Sequence, residues 1–334
     1  MRRLTLLFTF TLALTALFAF PALSQELKIA TLSPEGTALV DELRAADQEI
    51  AAATEGRVRL KIYTGGVMGN DDTVLRKMRM GQLHGGFVGS NTLALTAPDY
   101  NILGLPLLVR TNEEADAVRA AFEEQLGAQL AENGLVSMGM IELGFVYIMS
   151  NRPITRKSDI LGCKCWIPEG YDIGRDIFEG FGVTPIPLPM PDVLTALQTG
   201  LIDTVANAPS VTLALQWFTA VTHLTDYPLL YNYGSLVFSE RAWSQLSPED
   251  QAAAAEILTR HMTALNTQSR VTGADAMQAL QNQGIAFVEP NAEDAAELQA
   301  IADQVIEARV ASGQINRELL AQVREVLAAV RAGQ

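Results

Sequence analysis

The chain has 334 residues and a formal net charge of −14 at pH 7, because 38 Asp and Glu outnumber 24 Lys and Arg. An acidic surface disfavours nucleic acids and anionic membranes as partners, although the potential inside a cleft can differ from the net charge. A chain longer than about 250–300 residues exceeds one hydrophobic core, so two lobes are expected.

The first segment, 1–24, has the composition of a signal peptide. Two arginines precede an apolar run at 4–20, and small residues stand at Ala22 and Ser24. A membrane anchor is the alternative, but a run of about 17 residues is at the short edge of a spanning helix. We therefore expect export to the periplasm and a mature chain that begins at Gln25.

Strand and helix patterns alternate in the first part of the mature chain. Predicted strands at 27–31, 58–62 and 84–88 are separated by helices, which indicates parallel α/β architecture. Each strand is followed by a polar or glycine-rich loop. The loop at 65–69 lacks a phosphate-binding signature, so we interpret it as a turn that lines a cleft.

The stretch 150–210 contains two strand–helix–strand passages in succession. Alternation along a predicted strand at 163–167 puts both cysteines on one face and Lys164 and Trp166 on the other. In open α/β sheets, ligands bind at the carboxyl ends of strands. The residues expected to edge such a cleft are Trp166, Pro168, Glu169 and Asn207.

The later chain supplies long elements. Strands are predicted at 135–141 and 145–150, and 225–233 is interpreted as a proline-containing connection. Ser247 begins a helix that continues to about Gln283, long enough at ~50 Å to brace both lobes. Two amphipathic helices close the chain.

Residues for catalysis or metal binding are not grouped in the sequence. Cys163 and Cys165 are two apart on one strand, which is poor geometry for a disulfide, so two buried free thiols are expected. The three histidines are scattered, and no nucleophile elbow is present. We therefore expect no enzyme activity, no cofactor and no metal; a calcium or sodium site at Glu169, Asp203 or Asn207 is the alternative.

Several motifs resemble one protein family over nearly the whole mature chain. SNRPI, DILGCKCWIP and ALQTGLID, with TLSPEGT and the glycine-rich run IYTGGVMGN nearer the amino terminus, resemble the periplasmic solute-binding subunits of TRAP transporters, the DctP-type family. The resemblance implies an α/β, two-lobed clamshell of the type II kind. It has two mixed sheets flanked by helices. It also implies a monomer that passes a small organic solute, of the organic-acid class, to membrane permease subunits.

The resemblance also implies where the chain crosses between the lobes, near residues 144, 231 and 272. Lobe I is then formed by 25–143 with 232–271, and lobe II by 144–231 with 272–334. A sensor subunit on the same fold is the alternative function, and a secreted enzyme is a more distant one.

The sequence departs from the family at the positions that hold a ligand. Relatives usually carry an arginine, which binds a carboxylate in a bidentate manner, where this chain has Trp166. Many have a second arginine at the position of Val146. Family aromatic and glutamate positions become Met190 and Ala206, whereas the asparagine is retained as Asn207. An indole offers one N–H donor and a stacking face, so the carboxylate clamp is expected to be absent.

Another cation would have to replace that clamp if the solute is anionic. Lys164 shares the face of Trp166 and is the first candidate, ahead of Arg152 and Arg175. The residues expected to contact the solute are Glu35, Ser90, Asn91, Phe145, Tyr147, Trp166, Pro168, Glu169, Met190 and Asn207.

Overall fold

The computed structural model describes residues 24–333. The signal peptide predicted for 1–24 therefore lies outside the described residues, except for its last position. Within 24–333, no helix combines the length and the hydropathy that a membrane crossing requires.

Strands and helices alternate as the sequence predicts. The strands are β1 (Gln25–Ala30), β2 (Val58–Tyr63), β3 (Gly85–Gly89), β4 (Leu135–Ser150), β5 (Trp166–Pro168), β6 (Ile186–Leu188), β7 (Thr204–Asn207), β8 (His223–Ser239) and β9 (Ala286–Val288). The helices are α1 (Ala38–Ala53), α2 (Asp71–Arg79), α3 (Ser90–Leu93), α4 (Asn112–Glu132), α5 (Lys157–Ile160), α6 (Asp172–Gly180), α7 (Val193–Thr199), α8 (Pro209–Ala214), α9 (Glu240–Trp243), α10 (Pro248–Asn282), α11 (Ala292–Ala311) and α12 (Arg317–Ala332). Short 3-10 turns occur at Pro98–Gly104, Met190–Asp192 and Trp217–Thr219.

Two long strands connect the lobes of this α/β fold. The main sheet has seven strands in the order β2-β1-β3-β8-β4-β7, with β9 added beside β8. A parallel pair, β5 and β6, is joined to it by one bridge between Cys165 and Thr204. The predicted two-lobed arrangement of mixed sheets and flanking helices is confirmed. The main sheet continues from one lobe into the other because its strands β4 and β8 pass through both.

The strand β8 differs from the sequence-based interpretation. The segment 225–233 was expected to be a connection, but it lies inside this 17-residue strand. Pro228 is accommodated because the pairing of β4 with β8 shifts register between Val146 and Ile148. A residue without an N–H group is tolerated at such a bulge.

The predicted strands at 135–141 and 145–150 form one strand, β4, rather than two. Gly144 has φ +91° at a register shift between Glu142 and Gly144, so the ladder bends there without ending. The lobe boundaries given above stay a prediction, since this sheet continues through them.

The long helix α10 braces the molecule as predicted. Ser247 caps it by accepting a hydrogen bond from the backbone N–H of Asp250 at 3.1 Å. The helix has 35 residues and packs against α1, β4 and α8. It therefore spans from one lobe to the other behind the crossing strands.

Side chains of the strand at 163–167 alternate as predicted. Cys163, Cys165 and Ile167 are buried in one apolar cluster, whereas Trp166 belongs to another on the opposite face. Both cysteines are free, and burial raises the pKa of each thiol. These thiols are therefore core residues of low reactivity.

Candidate functional site

A cavity of about 650 Å³ lies between the lobes. Its walls are the loops after β1, β3, β5 and β7, and its floor includes residues of β4, β8 and α10. Small-molecule sites commonly have volumes of about 300–1,000 Å³. The cavity thus has the size and the position, at the carboxyl ends of strands, that a ligand site in an open α/β sheet requires.

The structure brings six of the ten predicted contact residues together around this cavity. These residues are Asn91, Trp166, Pro168, Glu169, Met190 and Asn207. They come from both lobes. Pro168 and Asn207 are the last residues of β5 and β7, and Glu169 directly follows β5, as the strand-end argument predicts.

Glu35 and Ser90 lie outside the lining. Glu35 is exposed, where it pairs with Arg44 and accepts a hydrogen bond from Thr64 at 3.0 Å. Ser90 is buried at the first position of α3. Neither residue lines the cavity, and a contact of either one with a solute stays a prediction.

Phe145 and Tyr147 also lie outside the lining, for a reason of register. Val146 between them lines the cavity, and alternation along β4 directs its two neighbours to the other face. Phe145 packs edge-on against Tyr231 at 4.6 Å between ring centroids. The placement expected from the sequence is therefore shifted by one residue.

Trp166 forms part of the cavity wall but is only 1% exposed. Its indole Nε1 donates a hydrogen bond to the carbonyl oxygen of Leu188 at 3.0 Å. Its ring meets Trp217 edge-on, with 5.2 Å between centroids. The single donor of the indole is thus already used, and the side chain supports the site mainly by packing.

The cations that the sequence suggests as substitutes for an arginine clamp are not part of the lining. The Lys164 Nζ donates to the carbonyl oxygen of Gly200 at 2.7 Å, and Arg152 pairs with Asp203 at 3.0 Å. Arg175 is likewise outside the lining. Among the described residues that line the cavity, none is Lys, Arg or His.

The cavity also contains residues that sequence reasoning missed. They are Asn70, Asp71 and Asp72 at the start of α2, Asn232 of β8, and Gln268, Ser269 and Thr272 of α10. In the sequence, the two aspartates have the pattern of solvated residues in the first turn of a helix, which accounts for them locally. Nothing in the amphipathic pattern of α10 marks the turn that faces the cleft.

The two aspartates of α2 are held by neighbouring groups of the same lobe. The Asp71 Oδ2 accepts the backbone N–H of Gly89 at 2.9 Å, and the Asp72 Oδ1 accepts the hydroxyl of Thr92 at 3.1 Å. Burial raises the pKa of Asp71 to about 6, and the neighbouring charge of Asp72 adds to this effect. Both carboxylates therefore face the cavity in fixed positions.

The start of α2 also touches the opposite lobe. Gly170 follows β5 with φ +79°, and a Cβ added there would lie 2.7 Å from the Asp72 Oδ2. The two lobes are thus in contact across the cavity through this carboxylate and a residue without a side chain.

A buried ionic network around Glu142 lies at the floor of the cavity, where the paired strands β4 and β8 pass between the lobes. Glu142 is 1% exposed and accepts hydrogen bonds from Arg119, Arg270 and the Tyr231 hydroxyl, the last at 2.6 Å. Hydrogen bonds to Asp116 and Glu142 raise the pKa of Arg270 despite its burial. Glu142 is therefore compensated, and the two arginines nearest the floor are engaged with carboxylates of the protein.

Metal binding finds little support in this geometry. Within 24–333 no three His, Cys, Asp or Glu residues are grouped so that they could hold a metal ion. Asp203, one residue of the alternative calcium site, already accepts hydrogen bonds from Arg152, Thr204 and the backbone N–H of Lys164.

A cavity enclosed by two lobes that share long crossing strands defines the class of two-lobed solute-binding proteins. Comparison with known families agrees with this class. The chain belongs to the DctP family, bacterial extracellular solute-binding protein family 7, whose model matches residues 29–312. The family predicted from the sequence is confirmed.

Two relatives cover most of the chain. A solute-binding protein of Roseobacter denitrificans is 26% identical over 302 residues, covering 88% of this chain and 90% of the relative. The 2,3-diketo-L-gulonate-binding periplasmic protein YiaO of Escherichia coli is 27% identical over 243 residues, 71% of each chain.

Solved structures share the fold. The sugar acid binding protein DctPAm from Advenella mimigardefordensis, in complex with galactonate, has a TM-score of 0.84 at 20% identity and covers 92% of this chain and 98% of that one. A TRAP periplasmic solute binding protein from Polaromonas, bound to D-erythronate, has a TM-score of 0.81 at 22% identity, with coverages of 90% and 98%.

Proposed function

We propose that this chain is the extracytoplasmic solute-binding subunit of a TRAP-type transporter. It acts as a monomer in the periplasm, captures a small organic solute between its lobes, and delivers the solute to membrane permease subunits. The observation that carries the proposal is the cavity of about 650 Å³ lined by strand ends of both lobes, in a chain of the DctP family. A family that consists of solute-binding proteins supports binding rather than catalysis.

The names of the relatives bear on the class of solute. Those proteins bind 2,3-diketo-L-gulonate, galactonate and D-erythronate, which are sugar acids. Their example supports a small organic acid for this chain as well. In this cavity, however, such an acid would need an attachment other than an arginine clamp, since Trp166 occupies the clamp position and its N–H is bonded to Leu188.

Small-angle scattering tests the capture mechanism. A solute that binds is first identified by a thermal-shift screen of the exported chain against organic acids, amides and amines. A solute present at a hundredfold excess over its Kd stabilises the folded state by about 2.7 kcal/mol. A solute that binds should also reduce the radius of gyration, as the lobes close around it by a hinge motion at the crossing strands. A saturating solute that leaves the scattering curve unchanged would contradict the proposal.

A further inference from the structure

The carboxylates of the cavity set its charge. Besides the compensated Glu142, four acidic side chains belong to the lining. Asp71 and Asp72 lie at the start of α2, Asp41 lies on α1, and Glu169 follows β5. They approach the cavity from both lobes. A solute that enters between the lobes is therefore surrounded by negative charge.

Asp71 and Asp72 each have one oxygen that accepts no hydrogen bond from the described residues, and that of Asp72, Oδ2, lies beside Gly170 at the contact between the lobes. The backbone N–H of Gly89 occupies the Asp71 Oδ2, and the Thr92 hydroxyl occupies the Asp72 Oδ1. Within residues 24–333, no protein hydrogen bond to the other oxygen of either carboxylate is formed. An ammonium or guanidinium group donates several hydrogen bonds and has no acceptor, which matches this pair.

The arginines that contact the lining residue Glu142, and the cations suggested as substitutes for a clamp, are bound to groups of the protein. Arg119 and Arg270 bind Glu142 and Asp116, Arg152 binds Asp203, and Lys164 binds a backbone carbonyl. To recruit one of them for an anionic solute would break an existing ion pair or hydrogen bond. An anion placed beside Asp71 would also be desolvated without a counter-charge, which is strongly unfavourable.

We propose that the solute of this binding protein carries a protonated amine or guanidinium group, which binds between Asp71 and Asp72. The proposal rests on the proposed function, because it names the chemistry that the inter-lobe cavity recognises. The same lining includes the aromatic side chains of Phe87, Tyr171 and Tyr233, and aromatic rings can contribute to holding a cation. A carboxylate elsewhere on the solute is compatible with this arrangement but is not its point of attachment.

Four probes with the same five-carbon chain test the charge preference. Titration calorimetry compares cadaverine, δ-aminovalerate, glutarate and pentanediol, which differ only in their end groups. Cadaverine is expected to bind at least about tenfold more tightly than pentanediol, and glutarate the most weakly, with δ-aminovalerate above glutarate. Binding of glutarate as tight as cadaverine, or no binding of cadaverine, would overturn the proposal.

Two single substitutions test whether the cationic group of the solute binds at Asp71 and Asp72. Asp71→Asn and Asp72→Asn each keep the size of the side chain and an oxygen acceptor, and each should reduce the affinity for cadaverine about tenfold or more. The control Asp275→Asn removes an exposed carboxylate of α10 and should leave the affinity unchanged. A preference for cadaverine that survives in both cavity variants would also overturn the assignment.

Small-angle scattering distinguishes a failure of this inference from a failure of the proposed function. If galactonate or glutarate binds tightly and closes the lobes while cadaverine does not bind, solute capture stands and the cationic class is wrong. If a probe binds and the radius of gyration does not change, the capture mechanism itself fails.

Discussion

The family resemblance predicts an arginine at the position of Trp166, and the surroundings of this side chain show what an indole does there. Its ring is enclosed by Trp217, and its N–H is bonded to the carbonyl of Leu188. The side chain therefore connects β5 to the last residue of β6, and its single donor is not available to the cavity. Trp166 is therefore part of the core.

We expect Trp166→Phe to affect stability more than binding. The substitution removes the indole hydrogen bond and leaves the Leu188 carbonyl without that donor, so the free energy of unfolding should fall by about 1–3 kcal/mol in urea denaturation. Solute affinity should change less than threefold, or about 0.6 kcal/mol. A large loss of affinity with unchanged stability would show that the indole binds the solute directly. Trp243→Phe, in the core around α9, is the matched control.

The family resemblance predicts a solute contact at Asn207, and we expect its side chain to make one. Its Oδ1 accepts the backbone N–H of Ala208 at 2.8 Å, which fixes the amide at the end of β7 and leaves its NH₂ group for a ligand. Asn207→Ala should weaken binding by about 1–3 kcal/mol, measured by calorimetry with whichever probe binds. Asn133→Ala, at an exposed helix end, serves as control. Equal affinities for both variants would reduce Asn207 to a turn residue.

The buried carboxylate of Asp71 at the cavity lowers the stability of the folded protein. Its folded pKa of about 6 lies above the ordinary value of 3.8, so the ionised form is disfavoured in the folded state. The folded protein therefore loses stability as pH rises from about 4 through 6, and the loss is complete above that range.

Asp71→Asn removes this cost while its amide oxygen can still accept the Gly89 N–H. We expect the free energy of unfolding to rise by about 1–2 kcal/mol at pH 8, with no gain near pH 4. Denaturation of variant and wild type at the two pH values gives the comparison, with Asp275→Asn as the control for loss of a solvated charge. A gain of equal size at both pH values would show that ionisation is not its cause.

At the scale of elements, caps and alternation in the sequence predicted the features that depend only on residues near each other in the chain. The Ser247 cap and the following acids predicted the start of α10, and alternation predicted which face of β5 holds Trp166. Pro228 misled the interpretation of β8, because the bulge that accommodates a proline depends on the partner strand β4. The role of Asp71 and Asp72 was missed for a similar reason: the sequence shows a helix start but not the opposite lobe.

Glu142 stabilises the region where β4 and β8 pass between the lobes, because its ion pairs join these strands to α4 and α10. Glu142→Gln should destabilise the protein by about 3–5 kcal/mol, because Arg119 and Arg270 would keep their charges at a buried site with one partner fewer. Asp116→Asn removes a more exposed carboxylate of the same network and should cost about 1 kcal/mol or less. Urea denaturation measures both. Similar small losses for the two variants would mean that Glu142 is not the centre of the network.

For the molecule as a whole, we expect the contact between Asp72 and Gly170 to limit how closely the lobes approach. Gly170→Ala places a methyl group against the Asp72 carboxylate, whose other oxygen is held by Thr92. The lobes then close less completely, and solute affinity should fall by about 1 kcal/mol or more. Scattering of the solute-bound variant should give a larger radius of gyration than that of the wild type.

Gly162→Ala is the matched control for that substitution. Gly162 has φ +81°, close to the +79° of Gly170, but a Cβ added to it meets no atom within 4 Å. Both variants therefore carry the same backbone strain of about 1 kcal/mol, and only Gly170→Ala adds a contact between the lobes. If both lower the stability equally and only Gly170→Ala weakens solute binding, closure depends on this contact. Equal binding by the two variants would instead mean that Asp72 moves aside without cost and that the closed position is set elsewhere along the cleft.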